Sequence, residues 1–250
     1  MAEWRILSTW SKAELDERLA RVPGLPLSTP IQIELTPENG WNHVLSKAVI
    51  GREAPGPPLP NGAFAHAKKL VDRFGFSDER IVVGHYPTSS KLLHRPMLLE
   101  LKSMGLHFLC AVRVGALREE ADENRTIWGY RYDTLEGHLE RGREWFLLIK
   151  DHKTGEVWFH IDAGWLPGEF PNWWSKLGFK VLGRRYQRAW HRLSHEHLRA
   201  ALRDWDREES KAKGHAVAHE GPAEAPVQFF AQQALKPKHT HIEHEEKPHA

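Results

Sequence analysis

The sequence predicts an α+β fold in which a curved antiparallel β-sheet wraps on a long C-terminal helix, with further helices near the N-terminus. Three observations predict it. Apolar residues follow helical spacing early in the chain, alternate with a period of two between residues 79 and 165, and return to helical spacing after Asn172. The strand-like segments are joined by short connections, which favour antiparallel pairing because parallel pairing needs a long crossover.

The first helix is indicated by a capping box. Ser11 and Glu14 have the spacing in which each side chain bonds the other's backbone, and Pro23-Gly24 then ends the helix. Residues 31–35, IQIEL, alternate in polarity and predict a short strand.

Two more helices are predicted before the sheet. Thr36-Pro37 is a helix start, and residues 36–51 then predict a helix that ends at Gly51. Its expected buried face comprises Trp41, Val44, Leu45, Ala48 and Val49. Residues 63–74 predict a third helix, which Gly75 closes.

Six segments are rich in β-branched and aromatic residues and are separated by turn residues, as strands are. They are residues 79–87, 95–103, 106–118, 125–135, 143–150 and 156–165. Asn172 then caps a final helix of roughly thirty residues or fewer. Its predicted inward face comprises Leu182, Tyr186, Ala189, Leu193, His197 and Ala200.

Residues 1–206 are predicted to form one domain, and residues 207–250 a disordered tail. In the tail, VQFFAQQAL (227–235) can dock a partner or fold back onto the domain as a strand or helix. His239, His241 and His244 are weak metal-ligand candidates, which without a folded surrounding would bind nickel or zinc only incidentally.

Composition excludes several classes of protein. The single cysteine, Cys110, allows no internal disulfide or cysteine zinc site and fits a reducing compartment. The N-terminus has no apolar signal region, and no apolar run is long enough to span a bilayer, so a cytoplasmic location is expected. The chain has no Walker loop, GxGxxG helix start, GxSxG or HExxH, and no cofactor is expected.

Residues 128–146, followed by a V-W-F-x-I strand and a basic terminal helix, resemble the DUF1990 (UPF0548) family. That family carries a segment similar to F-x-Y-G-T-L-P-G-H-P-E-x-G-E-E-x-F. The resemblance extends from about residue 45 to 203 and is strongest in 128–165. Asp133, Glu136, Leu139 and Arg143 depart from the family pattern. The matching positions are Tyr130, Tyr132, Thr134, Leu135, Gly137, His138, Glu140, Gly142, Glu144 and Phe146.

The resemblance implies a helix-grip domain similar to the START or Bet v 1-like (SRPBCC) superfamily. Members of that superfamily often bind hydrophobic ligands, and a few are enzymes. A helix laid across a curved sheet also leaves room for a cavity between them. The leading hypothesis is therefore that the protein binds a small, largely apolar ligand. The tentative ligand-binding residues are Arg113, Trp128, Tyr130, Tyr132, His160 and Tyr186.

The loop LEGHLERG (135–142) has three interpretations. His138, Glu140 and Glu144 can supply acid–base groups to a non-redox enzyme. They can equally be solvated side chains of a hairpin loop, or can bond backbone groups and lock the loop at a cavity mouth. The last two are favoured, because loops need polar satisfaction more often than chemistry.

His160 and Asp162 are a second acid–base candidate. They share one face of a predicted strand and can pair with Arg131 on a neighbour, or can lie on the solvent side of the sheet. Arg113 interrupts an apolar strand, so it is expected to hold a carboxylate of the protein or of a ligand.

The final helix carries a basic stripe of Lys180, Arg184, Arg185, Arg188 and Arg192. This stripe and the tail permit a third hypothesis, a protein that acts by interaction with nucleic acid or an anionic membrane. The formal charge of the whole chain is only +2. A solvated outer helix face is therefore the favoured interpretation, and no nucleic acid partner is expected.

Overall fold

The computed structural model describes residues 3–168, 173–212 and 227–230, with side chains described for 3–168, 185–207 and 227–229. It confirms the α+β fold: a large curved antiparallel sheet with a C-terminal helix and smaller helices. The strands are β1 (Glu3–Ile6), β2 (Asn42–Arg52), β3 (Val82–His85), β4 (Pro96–Ser103), β5 (Leu106–Ala121), β6 (Arg125–Thr134), β7 (Glu140–Asp151), β8 (Glu156–Pro167) and β9 (Gln228–Phe230). The α-helices are α1 (Lys12–Arg21), α2 (Ala63–Asp72) and α3 (Trp173–Ala212).

The strands lie in the order β3-β4-β5-β6-β7-β8-β2-β9, and β1 pairs with the first part of β5. Strands β3 to β8 form the predicted antiparallel meander. Strand β2 comes early in the chain but pairs with β8, with Leu45 opposite Asp162. Strand β9 pairs with the other edge of β2, with Ser46 opposite Phe229.

Helices α2 and α3 cover one face of the sheet, the inner face, and the main core lies beneath them. Its centre is aromatic: Phe76 lies 4.7 Å from Phe146 and 5.3 Å from Phe159 between ring centroids. Trp190 of α3 adds a further ring at 6.2 Å from Phe146. Each large apolar side chain buried this way stabilises the fold by roughly 1.5–3 kcal/mol.

Helix α1 packs on the opposite, outer face. Trp10, Leu19 and Val22 contact Leu98 and Leu109 of β4 and β5 there. The predicted capping box is present: the Ser11 hydroxyl accepts a bond from the Glu14 amide, and the Glu14 carboxylate accepts one from the Ser11 amide at 2.8 Å. This box fixes where the helix begins.

Two predictions before the sheet are wrong. Residues 31–35 form a turn and irregular backbone in place of a strand. The helix predicted over 36–51 is a single 3₁₀ turn, Pro37–Asn39, followed by β2. The physical reason is that both faces of β2 are covered over much of its length, so successive residues such as Ala48, Val49 and Ile50 are all buried. Such a strand has no polar alternation to distinguish it from a buried helix.

The predicted final helix is confirmed, but it has 40 residues and a different inward face. Ala189 and Leu193 are only partly buried, and His197 is exposed. The observed face is turned by about one residue, or roughly 100° around the helix axis. Its buried members are Trp190, His191, Ser194, His195, Leu198 and Leu202.

Several predictions concern residues that lie wholly or partly outside the described ones. Asn172, the side chains of Lys180 and Arg184, and His239, His241 and His244 are among them, as is most of the predicted disordered tail. Arg185, Arg188 and Arg192 are exposed. Gln228–Phe230 forms a strand on the domain, one of the alternatives for VQFFAQQAL. Within the described part of the chain, no helix combines the length and apolar character that a membrane crossing requires.

Candidate functional site

A cavity of about 70 Å³ lies between the sheet and α3, and it opens partly to solvent. One wall is apolar and comprises Val82, Leu99, Leu101 and Leu139. The rest is aromatic or polar and comprises Tyr132, His138, Glu140, Glu144, Tyr186, Gln187 and Trp190. The structure thus brings the three acid–base candidates of the LEGHLERG loop together with two of the tentative ligand-binding residues.

The backbone holds the loop between β6 and β7 in place. The His138 amide donates to the Leu135 carbonyl at 3.1 Å, which closes a turn, and Gly137 within it has a φ of +85°. Such a φ strains other residues but not glycine. The Glu136 amide reaches the Pro26 carbonyl at 2.9 Å, and Gly168 donates to Leu139 at 2.8 Å. The loop is therefore bonded to neighbouring segments on both sides.

The ring of His138 is buried at the cavity. Its Nδ1 accepts a hydrogen bond of 2.9 Å from the Glu140 amide, which is the loop-locking role among the three interpretations. The neutral ring therefore carries its hydrogen on Nε2. Burial lowers the pKa of His138 to about 4, so the ring is neutral at physiological pH. Nε2 is buried as well and has no hydrogen-bond partner.

The two glutamates of the cavity differ in their surroundings. Burial, together with the nearby charge of Glu144, raises the pKa of Glu140 to about 8. Glu144 instead accepts hydrogen bonds on both oxygens: from the Tyr132 hydroxyl on Oε2, and from His191 Nε2 on Oε1 at 3.2 Å. The arrangement thus places a carboxyl that holds its proton near neutral pH beside one that is bonded by two donors.

Behind Glu144, a chain of buried polar groups ties α3 to the sheet. His191 Nδ1 lies 2.9 Å from Ser46 Oγ, which lies 3.0 Å from His195 Nε2. Ser46, His191 and His195 are completely buried. Burial holds the pKa of His195 well below its usual value, so that ring is neutral and donates to Ser46. Phe229 of β9 stacks on His191, with 6.3 Å between ring centroids.

Sequence reasoning missed this buried chain. The sequence pattern predicts a helix at Ser46 where the structure has β2, and the predicted inward face of α3 does not include His191 and His195. The available signal was the i, i+4 spacing of the two histidines, which places both side chains on one face of a helix.

The aromatic side chains around the cavity use their own donors within the protein. The Tyr186 hydroxyl lies 2.5 Å from the Lys102 carbonyl oxygen and 2.7 Å from that of Ile81, and donates its one hydrogen there. Burial raises the pKa of Tyr186 above its usual range. Trp190 Nε1 donates to the Ser77 hydroxyl at 2.9 Å. These rings therefore border the cavity without offering it a free donor.

The remaining tentative ligand-binding residues lie elsewhere. Trp128 and Tyr130 are part of the core on the inner face, where the Lys68 ammonium lies 4.9 Å from the Trp128 ring. Arg113 is paired in the sheet with Asp133 and lowers the pKa of that carboxyl, in opposition to burial, which raises it more. Arg113 thus lies beside a carboxylate of the protein itself.

The second acid–base pair, His160 and Asp162, lies on the outer face. Asp162 pairs with His43 at 2.7 Å and does not bond His160. Burial lowers the pKa of His160 to about 3. Neither residue borders the cavity.

The described residues contain no group of three or more His, Cys, Asp or Glu side chains placed to hold a metal ion. Cys110 is buried, and burial raises the pKa of its thiol to about 12. A thiol held in its protonated form is a poor nucleophile.

Fold and site together define an α+β protein whose antiparallel sheet and C-terminal helix enclose a small cavity with neutral histidine and carboxyl groups. Residues 29–197 match the family described as a domain of unknown function (DUF1990), and the chain belongs to that family.

The chain is also similar to two known proteins. The chain is 43% identical over 60 residues to a UPF0548 protein of Deinococcus radiodurans, a match that covers 24% of this chain and 28% of that relative. A solved structure, the Mll3558 protein from Rhizobium loti, is similar over 65% of this chain and 98% of its own, at 15% identity and a TM-score of 0.28.

Proposed function

We propose that this protein binds a small amphipathic ligand in the cavity between the sheet and α3, on a fold of the helix-grip type, in the cytoplasm. Helix α3 packs on the inner face of the sheet, which is the arrangement that defines a helix-grip fold. The cavity has an apolar wall on β3 and β4 and polar groups on β6, β7 and the loop between them. A ligand with an apolar part and a polar end fits such a division.

The observation that carries the proposal is the unpartnered Nε2–H of His138. A buried donor without an acceptor destabilises a protein by about 1–3 kcal/mol. The loop holds the ring in this position through Nδ1, so the ring cannot turn to find another partner without losing the Glu140 bond. A ligand with a hydroxyl or carbonyl oxygen supplies the missing acceptor.

The size of the cavity limits the ligand. A volume of about 70 Å³ is roughly half that of the ~150 Å³ engineered apolar cavity that binds benzene. The enclosed space therefore accepts a polar end of a few heavy atoms, and any longer apolar part extends through the opening.

The first test is native mass spectrometry of protein purified under mild conditions, followed by crystallography of the complex. We expect a bound small molecule with an oxygen atom within hydrogen-bond distance of His138 Nε2. A cavity that remains filled only by water after exposure to a broad set of small amphipathic compounds would contradict the proposal.

A matched pair of variants tests the residue itself. In His138→Asn the amide oxygen can replace Nδ1 as acceptor for the Glu140 amide, while nothing replaces Nε2–H. We expect this variant to bind the ligand about 5- to 10-fold more weakly, since a hydrogen bond contributes about 1 kcal/mol. His160→Asn, on the outer face, is the control and keeps the affinity of the original protein.

Acid–base catalysis at the same cavity is the second candidate function. It is favoured by the contrast between Glu140, whose pKa is raised to about 8, and the carboxylate of Glu144 beside it. One group can then donate a proton while the other accepts one. The test is to recover the ligand after incubation with the protein in D₂O. Incorporation of deuterium at a carbon atom of the ligand that Glu144→Gln abolishes supports catalysis, and a ligand without carbon-bound deuterium contradicts it.

A further inference from the structure

The polar part of the cavity combines acidic and aromatic side chains. Glu140 and Glu144 both border it, and no Lys or Arg is among its described lining residues. His138, the one histidine among the described lining residues, is neutral because burial lowers its pKa to about 4. The carboxylate of Glu144 repels an anionic head group, which disfavours carboxylate and phosphate ligands.

Three aromatic rings, those of Tyr132, Tyr186 and Trp190, lie on the polar side of the cavity together with the Gln187 amide. Each uses its hydrogen-bond donor elsewhere: Tyr132 on Glu144, Tyr186 on a backbone carbonyl and Trp190 on Ser77. The rings thus add π-electron density and no free N–H or O–H. Cavities with aromatic rings and carboxylates attract cations more than neutral or anionic groups.

The Glu140 carboxyl is the hydrogen-bond acceptor of the cavity that is available to a ligand. Both oxygens of Glu144 have donors, whereas the Glu140 carboxyl makes no hydrogen bond in the described part of the chain. Burial and the charge of Glu144 favour its protonated form. A cation placed between the two carboxyls reverses this balance, because it stabilises both in the ionised state.

We propose that the polar end of the ligand is the ammonium group of a small organic amine, held between Glu140 and Glu144 and bordered by the three rings, with a nearby hydroxyl or carbonyl oxygen that accepts from His138 Nε2–H. This inference rests on the proposed function and names its ligand class. Short amino alcohols are the simplest compounds that carry both groups.

Binding of the amine displaces a proton. Near pH 7 Glu140 is protonated in the empty site, and the ammonium ion replaces that proton. Affinity therefore falls as the pH decreases below about 8, the pKa of Glu140. Among the described residues, the titratable groups near the two carboxyls are Tyr132 on β6, Cys110 on β5, His138 in the loop, and Tyr186 and His191 on α3. The described lining from β3 and β4 is apolar.

The test compares three compounds of equal length, 3-amino-1-propanol, 1,3-propanediol and 3-hydroxypropanoate, by isothermal titration calorimetry at pH 7.5. We expect the amine to bind at least 10-fold more tightly than the diol, and the acid to bind most weakly. Titration in phosphate and in Tris, which differ in ionisation enthalpy, should show that a proton is released when the amine binds.

The outcomes separate this inference from the proposed function. If the diol binds as tightly as the amine, or the acid more tightly, the ammonium assignment is overturned while ligand binding stands. If an amphipathic ligand found by native mass spectrometry occupies the cavity but none of the three compounds binds, the assignment is also overturned. A cavity that takes no ligand of any kind overturns both.

Isosteric variants identify the groups responsible. Glu140→Gln keeps the shape of the side chain but removes its charge, so we expect the 10-fold preference for amine over diol to fall to about 2-fold or less, and proton release to disappear. Glu119→Gln alters an exposed carboxylate that pairs with Lys68 far from the cavity, and is the matched control with unchanged preference. The three-compound comparison on the unaltered chain decides the matter even if Glu140→Gln fails to fold.

Discussion

Two buried polar clusters lie on the inner face of the same sheet, and they differ in how completely their groups are paired. In one, the Lys150 ammonium bonds Glu53 at 2.6 Å and the Ala54 and Pro57 carbonyls at 2.9 and 3.4 Å. Glu53 in turn accepts from the Leu59 and Phe64 amides. In the other, at the cavity, His138 Nε2 is buried without a partner, and the partly buried Glu140 carboxyl makes no hydrogen bond among the described residues.

This difference in hydrogen bonding distinguishes groups that stabilise the fold from groups that are available to bind a ligand. The Lys150–Glu53 pair is at most 2% exposed, uses all three ammonium hydrogens and fixes the start of α2. Its removal should therefore cost stability. The cavity groups are held in position by their neighbours but contribute little to the free energy of unfolding. Their removal should therefore weaken ligand binding. Four predictions test this division.

The largest effect is expected for Glu53→Ala, which leaves the Lys150 ammonium buried without its counter-charge. Loss of one partner of a buried ion pair costs about 3–5 kcal/mol of unfolding free energy, measured here by urea denaturation. The double variant Glu53→Leu with Lys150→Met should recover most of that loss, because it leaves no charge unpaired. A loss below about 1 kcal/mol in the single variant would show that the pair is not structural.

Ser46→Ala should have the next largest effect. It removes the hydroxyl between His191 and His195 and leaves a ring nitrogen of each without its partner, at a cost of about 1–3 kcal/mol. Ser8→Ala, at an exposed position, should change stability by no more than about 0.5 kcal/mol. Equal effects of the two changes in thermal or chemical denaturation would mean that the buried chain does not anchor α3.

Glu140→Gln should alter how stability depends on pH. The folded-state pKa of Glu140 is raised from 4.5 to about 8, so the folded chain retains a proton that the unfolded chain has lost between these values. The stabilisation is complete below about pH 4.5 and is lost as the pH rises through 8. Between about pH 5.5 and 7.5 the original protein should lose roughly 1 kcal/mol per pH unit relative to the variant. A difference that does not change with pH would contradict the raised pKa.

The smallest effect on stability is expected for His138→Asn. Because Nε2 has no partner and the amide oxygen can replace Nδ1, the unfolding free energy should change by less than about 1 kcal/mol. Circular dichroism melting of the ligand-free protein is the measurement. A loss of unfolding free energy comparable to that of Glu53→Ala would show that His138 stabilises the fold, as the Lys150–Glu53 pair does.

Much of the fold could be predicted because local signals agree with the final packing. The alternating segments became β3 to β8, and the Ser11–Glu14 capping box became the start of α1. The prediction for residues 36–51 failed because β2 is covered on both faces, so its apolar residues follow no period of two. Only the long-range pairing with β8 decides its conformation, and spacing along the chain does not contain that information.

The site residues that come from one loop could be predicted from the sequence. Those that come together from distant segments of the chain could not. His138, Glu140 and Glu144 are close in sequence and remain close in space. His191 and Ser46 are 145 residues apart and meet only after α3 lies on the sheet. The observation that carries the proposed function is the ring nitrogen of His138 without a hydrogen-bond partner. It depends on which groups surround His138 in three dimensions, and no sequence motif indicates it.

The position of β2 also has a consequence during synthesis on the ribosome. Strand β2 leaves the exit tunnel about 110 residues before β8, the partner that forms its longest ladder. At roughly 5–20 residues per second, it waits on the order of ten seconds with two apolar faces and unpaired amides exposed. Exposed apolar surface and unpaired strand edges of this kind make a nascent chain prone to aggregation. An early strand of the chain is therefore among the last to be paired in the sheet.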